Sequence, residues 1–552
     1  MKVSLCQINT TVGDFDGNLK KVLDFIKKSK SQNADLIVFP ELCISSYPPL
    51  DLLDRPAFLE KNEKILRMLC ESVLETPVIV GSIIKNLNST GRAIQNAALV
   101  IQNKKIIHVQ AKRLLPTYDV FDEFRYFEAA QKSSVWNSPW GPIGFCVCED
   151  SWFEELHQGR SIYHQDPAQD LKGVKLVINI SASPFELNKH KKRYEMLQGF
   201  VRKTGAPLVY VNQVGANDEI LFDGSSLVFS EKGEVIVEMP SFKEELSVID
   251  VFESSTHQKY LEKNEIELLY RGLITGIKDY FYKTGFRKAV LGLSGGIDSS
   301  VVACLACQSL GPENVLGMCI PSQFTSSQSL KDAQDLAQNL GIEYRVHSLK
   351  FIFSALLLEL KSAFGNAPQD VTEENIQARL RATMLMALAN KRKALLLTTG
   401  NKSELAVGYC TTYGDMAGAL APLGDVYKTK VYMLAHYINS LAGSSLIPDS
   451  ILTKPPTAEL RASQTDEESL GPYAQLDSLL EAYIEGLKDE EGLIKLGFEE
   501  SYIRKILNLV HQAEFKRYQA APVLKVTSKA FGLGRRVLIG AARGALDGAA
   551  AK

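Results

Sequence analysis

The sequence predicts an α/β chain in two domains, a layered α/β domain followed by a doubly wound parallel sheet. Three observations carry that expectation. At 552 residues the chain exceeds what one ordinary core organises. Short apolar runs of strand character alternate with segments of helical spacing along most of its length. Between them, Glu253–Lys263 is polar and charged without strand character and reads as a connection. Domains are therefore expected at 1–252 and 265–540, with a linker at 253–264 and a tail at 541–552.

Composition excludes several classes of function. Lys+Arg 62 against Asp+Glu 64 leaves a formal charge of -2, so no global field recruits nucleic acid or anionic lipid. No apolar stretch reaches the ~18 residues of a membrane span. Met1–Leu5 enters a strand-like run at once, with Asp14 and Asp16 soon after, so no secretory leader is read. The cysteines are scattered singly or in close pairs, without the framework of a disulfide-stapled secreted domain. A cytoplasmic enzyme is the expectation.

In the first domain Val3–Ile8 reads as a strand, Gly17–Lys30 as an amphipathic helix and Asp35–Phe39 as a buried strand. Short strands follow at Val78–Ile84, Ala97–Ile101, Ile106–Val109, Ile143–Val147, Leu176–Ile180, Leu208–Val211 and Ser226–Phe229, with a hairpin around Asn103-Lys104 and closure near Asp250. Three reactive residue types sit just past strand ends, where open sheets place their sites: Glu41, Lys112 and Cys148. Singly they read as a helix cap, a solvated lysine and a core cysteine. Together they can hydrolyse an amide. The cysteine attacks the carbonyl, the carboxylate takes its proton, and the ammonium stabilises the oxyanion.

Phe39-Pro40-Glu41-Leu42, Lys112-Arg113-Leu114-Leu115-Pro116 and Cys148-Glu149-Asp150 resemble, in order, the three signatures of the nitrilase (carbon–nitrogen hydrolase) superfamily. The resemblance implies an α-β-β-α sandwich, and it makes Cys148 rather than Cys146 the nucleophile. Tyr118–Phe127 is similar to a segment of the glutaminase members, which implies that Tyr118 touches glutamine and that Glu123 is an extra carboxylate by the triad. Ser181-Ala182-Ser183-Pro184 and Lys189 resemble a glutamine-contacting stretch, giving Ser183 and Lys189. For Lys189 a plain alternative stands, because His190–Arg193 continue a basic helix of exposed character.

The second domain opens with helical spacing at Ile266, Leu269, Leu273 and Ile277. The apolar run Ala289–Leu293 then meets Ser294-Gly295-Gly296-Ile297-Asp298-Ser299 and a second apolar run, the pattern of strand, glycine turn and helix start. Such a turn cradles phosphate, since glycines admit close approach and the helix N-terminus favours an anion. Asp298 would repel that phosphate unless it carries a metal ion. A Walker loop would need a lysine that is missing here. Gly292-Leu293-Ser294-Gly295-Gly296 fits a nucleophile elbow by letter, yet no histidine stands out to serve Ser294. A strand at Val315–Ile320, a helix at Ser326–Leu340, a strand at Tyr344–Ser348, helices to Asn390 and a strand at Ala394–Thr398 follow, with mixed structure beyond. Cys304 and Cys307 lie inside the apolar helix and read as packing.

The serine–glycine–glycine loop resembles the pyrophosphate-binding loop of amide-forming ATP pyrophosphatases, an adenine nucleotide alpha hydrolase-like fold. With Glu374–Arg381, Thr398–Glu404, Gly414-Asp415 and Pro422–Lys428 it resembles the NAD synthetases, and both halves together resemble the glutamine-dependent members over nearly the whole chain. That likeness implies ATP contacts from Gly292, Leu293, Ser294, Gly295, Gly296, Ile297, Asp298, Ser299, Arg381, Thr399, Lys428 and Thr457. It implies deamido-NAD contacts from Asn375, Glu404, Asp415 and Lys516, and Mg²⁺ on Asp298 and Glu404. L-glutamine, ATP and deamido-NAD would be the small-molecule substrates, and a homo-oligomer through the synthetase domain is expected. Lys454–Tyr473 is open to two readings, a mobile lid or an ordinary solvated loop. Two other functions stay in view: a nitrilase with a regulatory nucleotide module, and a serine hydrolase using Ser294.

Overall fold

The computed structural model describes residues 1–157, 159–253, 262–461 and 464–541, so most of the expected linker and nearly all of the tail lie outside the described residues. The chain divides into two compact units, Met1–Asn264 and Glu265–Lys552.

In the first unit two six-stranded sheets face one another. One runs Glu245–Asp250, Lys2–Gln7, Leu36–Val38, Val78–Lys85, Ile94–Gln102, Lys105–Ala111 from edge to edge. The other runs Val235–Glu238, Leu227–Phe229, Leu208–Asn212, Leu176–Ser181, Gly141–Val147, Val135–Ser138. Strand residues alternate between two destinations, as the period of two demands. Val3, Leu5, Phe145, Val147 and Ile178 meet between the sheets, while Cys6, Ile8 and Ile37 face the helices Phe15–Ser31 and Pro56–Ser72. Cys146 and Val177 face outward to the helix Lys189–Thr204. The layers are thus helix, sheet, sheet, helix. Asp14 caps the first helix by accepting from the Gly17 amide, so it starts at Phe15, two residues before the apolar period alone suggests. Asn103 and Lys104 both take positive φ, 49° and 64°, as a tight hairpin turn requires.

The second unit holds a four-stranded, all-parallel sheet in the order Glu343–Val346, Val315–Cys319, Ala289–Gly292, Leu395–Leu397. Chain order reverses between the last two strands, which opens a crevice beyond their carboxyl ends. The glycine loop leaves one of those strands and Thr398–Glu404 leaves the other. Val290, Leu316, Met318 and Leu396 pack with Leu380, Met384 and Leu388 of the helix Val371–Arg392. A helical lobe follows, in which Leu405, Leu476, Leu480, Ile503, Leu507 and Val510 share a core with Val523 and Phe531.

Candidate active sites

In the first unit Cys148 follows the strand Gly141–Val147 in a left-handed conformation, φ 45°, that lifts it off the sheet. Its amide donates to Asn179 Oδ1 at 3.0 Å. Asp150 ties the turn to the lysine loop, accepting from the amides of Val147, Arg113 and Leu114 at 2.9, 2.9 and 2.8 Å. Glu41 enters beside Gly81, where a Cβ would stand 2.2 Å from the Leu42 nitrogen, so only glycine allows the strand to pass so close. Lys112 Nζ donates to Glu41 Oε1 at 2.8 Å and to Glu123 Oε1 at 2.7 Å. Tyr47 OH donates to Glu123 Oε1, Asn96 Nδ2 to Glu41 Oε1, and the Ala182 amide to Glu41 Oε2, at 2.9, 2.7 and 2.9 Å.

These groups are all buried, and their charges govern one another. Burial, and then Glu41, push the Cys148 thiol up, while Lys112 pulls the other way. Cys148 therefore rests as a thiol. Burial would lower Lys112, but Glu123, Glu41 and Cys148 hold it well above its ordinary value, so it stays an ammonium. Burial raises Glu123 to about 7, with Lys112 opposing and Glu41 reinforcing.

Of the expected glutamine residues, Tyr118 and Ser183 adjoin this set through Glu149 and Ala182. Tyr118 OH donates to Glu149 at 2.9 Å, and Tyr163 OH does so at 2.6 Å. Ser183 is buried next to Ala182, and its amide donates to Asn212 Oδ1 at 2.9 Å. Lys189 Nζ stands 5.6 Å from the centre of the Trp152 ring. The basic run after it is not uniformly exposed. Arg193 is buried in a two-pronged pair with Asp223, 2.9 Å on each arm, and His190 meets Glu238 at 2.7 Å, because one stripe of this helix faces the sheet.

In the second unit the loop Gly292–Ser299 turns at Gly295, φ 76°, where a Cβ would lie 2.2 Å from the Ser329 carbonyl oxygen. Ser294 Oγ accepts from the Gly296 amide at 3.2 Å and lies 3.1 Å from Ser299 Oγ. These contacts stay within the loop, and among the described residues no histidine is seen to bond the serine. Asp298 sits in the first turn of the helix Ile297–Leu310, accepting from Asn401 Nδ2 at 2.9 Å and from Lys428 Nζ at 2.5 Å. Lys428 also donates to Glu404 at 3.2 Å. Burial, followed by the negative charges of Asp298 and Asp466, outweighs Lys428 and raises Glu404 to about 8. Among the described residues no group of three or more His, Cys, Asp and Glu could hold a metal unaided. Two carboxylates beside a glycine loop nevertheless fit Mg²⁺, which takes one or two carboxylates and completes its shell with other oxygen ligands.

Arg381 Nε donates to the Ile320 carbonyl at 3.0 Å, whereas Arg379 Nε reaches Thr412, so the two arginines diverge. Glu404 and Asp415 line one recess with Thr398, Gly400 and Met416, and Thr399 is half-buried between Thr398 and Gly400. Asn375 Oδ1 accepts from Thr411 at 2.7 Å, and Asp415 from the Thr411 amide at 2.6 Å. Lys516 Nζ donates to the Gly408 and Cys410 carbonyls, both at 2.7 Å. Thr457 Oγ1 accepts from the Glu459 amide at 3.2 Å. Beside it Lys454 Nζ reaches Gly295 O at 3.2 Å and Ser329 Oγ at 2.8 Å, and Glu459 accepts from Ser329 Oγ at 2.6 Å. Lys454 thus reaches the glycine loop, and Glu459 the start of the helix Ser327–Leu340.

Sequence reasoning missed Tyr47, Asn96, Asn179, Asn401 and Lys402. For Asn179 the available signal was a polar residue in mid-strand amid apolar neighbours. Asn401 offered the capping pattern Asn401–Glu404, which the structure contains.

The family model for carbon-nitrogen hydrolases matches residues 2–259 and that for NAD synthases residues 269–520. The glutamine-dependent NAD(+) synthetase of Synechocystis sp. is 43% identical, over 97% of this chain and 98% of its own. That of Thermotoga maritima is 39% identical over 96% and 97%. Among solved structures, the glutamine-dependent NAD+ synthetase of Acinetobacter baumannii in complex with ADP aligns with a TM-score of 0.77 at 36% identity, covering 98% of each chain.

Proposed function

Because the chain belongs to the glutamine-dependent NAD(+) synthetases, and so couples glutamine hydrolysis to the ATP-dependent amidation of deamido-NAD, we propose how its own residues divide that work. Cys148 Sγ attacks the side-chain amide carbon of L-glutamine, and its proton passes to Glu41. The C–N bond breaks and the nitrogen leaves as ammonia with that proton. Water then opens the γ-glutamyl thioester, Glu41 again taking a proton and returning it to sulfur. Lys112, held between two carboxylates, supports the oxyanion. Tyr118, Ser183 and Lys189 bind the rest of glutamine, and Glu123 keeps the lysine in place.

In the second unit Gly292–Ser299 holds the ATP phosphates, with Arg381, Thr399, Lys428 and Thr457 as further contacts. Asn375, Glu404, Asp415 and Lys516 bind deamido-NAD. Asp298 and Glu404 would hold Mg²⁺, which supplies charge neutralisation at the triphosphate. The nicotinate carboxylate is a poor electrophile until its oxygen takes AMP from ATP with loss of pyrophosphate. Ammonia then displaces AMP and yields the amide. The observation that carries this reading is the presence, in one chain, of a buried Glu41–Lys112–Glu123 cluster at a left-handed cysteine and of an Asp298–Lys428–Glu404 cluster at a phosphate loop. We also assign a homo-oligomer through the second unit, supported by the helix Lys350–Phe364, none of whose residues is buried.

Product analysis with deamido-NAD, ATP and Mg²⁺ tests the assignment. Wild-type protein is expected to make NAD, AMP and pyrophosphate with either glutamine or ammonium. Cys148→Ala is expected to do so with ammonium alone. Glutamine-dependent NAD formation by Cys148→Ala would refute the nucleophile, and loss of both reactions in folded protein would refute the division of labour.

A further inference from the structure

We propose that Asn96 is a positioning residue for glutamine hydrolysis: its amide nitrogen holds the Glu41 and Glu123 carboxylates apart around the Lys112 ammonium and so fixes which of them receives the Cys148 proton. The inference rests on reading Glu41, Lys112 and Cys148 as the hydrolytic set. Asn96 is fully buried in the strand Ile94–Gln102, paired with Ile83 of the neighbouring strand. Its Nδ2 lies 2.7 Å from Glu41 Oε1 and 3.5 Å from Glu123 Oε2. Its backbone carbonyl accepts from the Lys112 amide at 2.8 Å. One residue therefore touches both carboxylates with its side chain and the lysine with its main chain.

The chemistry of the pocket explains why an amide stands there. Two carboxylates share one ammonium and repel each other. Lys112 Nζ serves one oxygen of each. An NH₂ group brings two more hydrogens in a fork and adds no charge. The other end of the amide is left over, since Asn96 Oδ1 is buried without a hydrogen-bond partner. Turning the amide over would aim that oxygen at Glu41 and be repulsive, so the donor end faces the carboxylates. An apolar residue of the same shape would fill the strand position without an orphaned acceptor. The asparagine is therefore accounted for by its donor end.

Two near-isosteric variants test this, assayed beside Cys148→Ala with glutamine rates normalised to ammonia-dependent synthesis by the same preparation. The charged groups that meet position 96 are Glu41 after the strand Leu36–Val38, Glu123 in its 3-10 turn and, through its main chain, Lys112 after Lys105–Ala111, while the Tyr47 hydroxyl bonds Glu123 and the Cys148 thiol acts electrostatically on Lys112. Asn96→Leu removes the donor. Its glutamine-dependent kcat is expected to fall about 100-fold with the KM for glutamine nearly unchanged, because the base is displaced rather than the substrate. Asn96→Asp can donate only while protonated, so its activity optimum is expected to move to lower pH by about one unit. A residue that merely fills the strand would lower the thermal transition and leave the pH profile in place, and that result overturns the proposal. Wild-type kcat and pH profile in both variants overturn it too. If Asn96→Leu fails to fold, the pH profile of Asn96→Asp decides alone. Glutamine-dependent activity in Cys148→Ala overturns the underlying reading, and this proposal with it.

Discussion

Carboxyls raised by burial, Glu123 in one unit and Glu404 in the other among them, make pH a probe of both candidate sites. Glu404 is held at about 8, against an ordinary carboxyl near ~4.3. Between those values the native state carries a proton that the unfolded chain lacks, so this group's contribution to stability falls as pH rises through the window. Glu123, at about 7, acts with the same sign over a narrower range. A cation at Asp298 and Glu404 must displace the Glu404 proton. The thermal stabilisation given by Mg²⁺ with ATP is therefore expected to grow between pH 6 and pH 8 in the wild type. Glu404→Gln should flatten that growth, and a wild-type slope in this variant, followed by thermal melts across the range, would refute the metal assignment. Glu404 was within reach of the sequence because Asn401–Glu404 follows an apolar strand, where sheet enzymes place their groups. Asn96 was not. Its partners Glu41 and Glu123 lie 55 and 27 residues away, and an asparagine beside Gln95 near a strand's start carries no local mark of them.

At the scale of elements, the same contrast separates what could be read from what could not. The strands and the glycine loop declare themselves by period and turn chemistry over a few residues. The helix Glu500–Gln512 was as legible, with Ile503, Ile506, Leu507 and Val510 on one stripe, yet the reading stopped at mixed structure after Thr398. Lys402 is the opposite case. It opens the short helix Lys402–Val407 in a segment that looks polar and solvated, and it is wholly buried. Its Nζ meets Asp425 and Glu485 at 2.9 Å each, Thr527 Oγ1 at 2.7 Å and the Lys529 carbonyl at 3.0 Å. This ammonium pins the Glu404 helix to a segment more than a hundred residues later. Lys402→Met keeps the bulk and removes one partner of a buried ion pair, so a loss of about 3–5 kcal/mol is expected. Thermal melts of the purified chain check it, and a transition within a degree of the wild type would mean that the pairing carries little weight.

For the whole molecule, the proposed association of copies bears on the surface of the second unit. Phe351 is 83% and Leu358 70% exposed on the helix Lys350–Phe364, beside the edge strand Glu343–Val346. Apolar side chains so placed favour association. The thermal transition is expected to rise with protein concentration, and Phe351→Glu with Leu358→Glu to shift sedimentation toward a smaller species. Concentration-independent melting together with unchanged sedimentation would refute the assembly. The long reach of Lys402 also sets an order of events in time. Thr527 leaves the ribosome 125 residues after Lys402, a delay of about 6–25 s at ordinary elongation rates. The glutaminase unit has all its residues by Asn264, well before that. Each newborn chain therefore passes through an interval in which the half that releases ammonia has all its residues while the half that consumes it still waits for this staple.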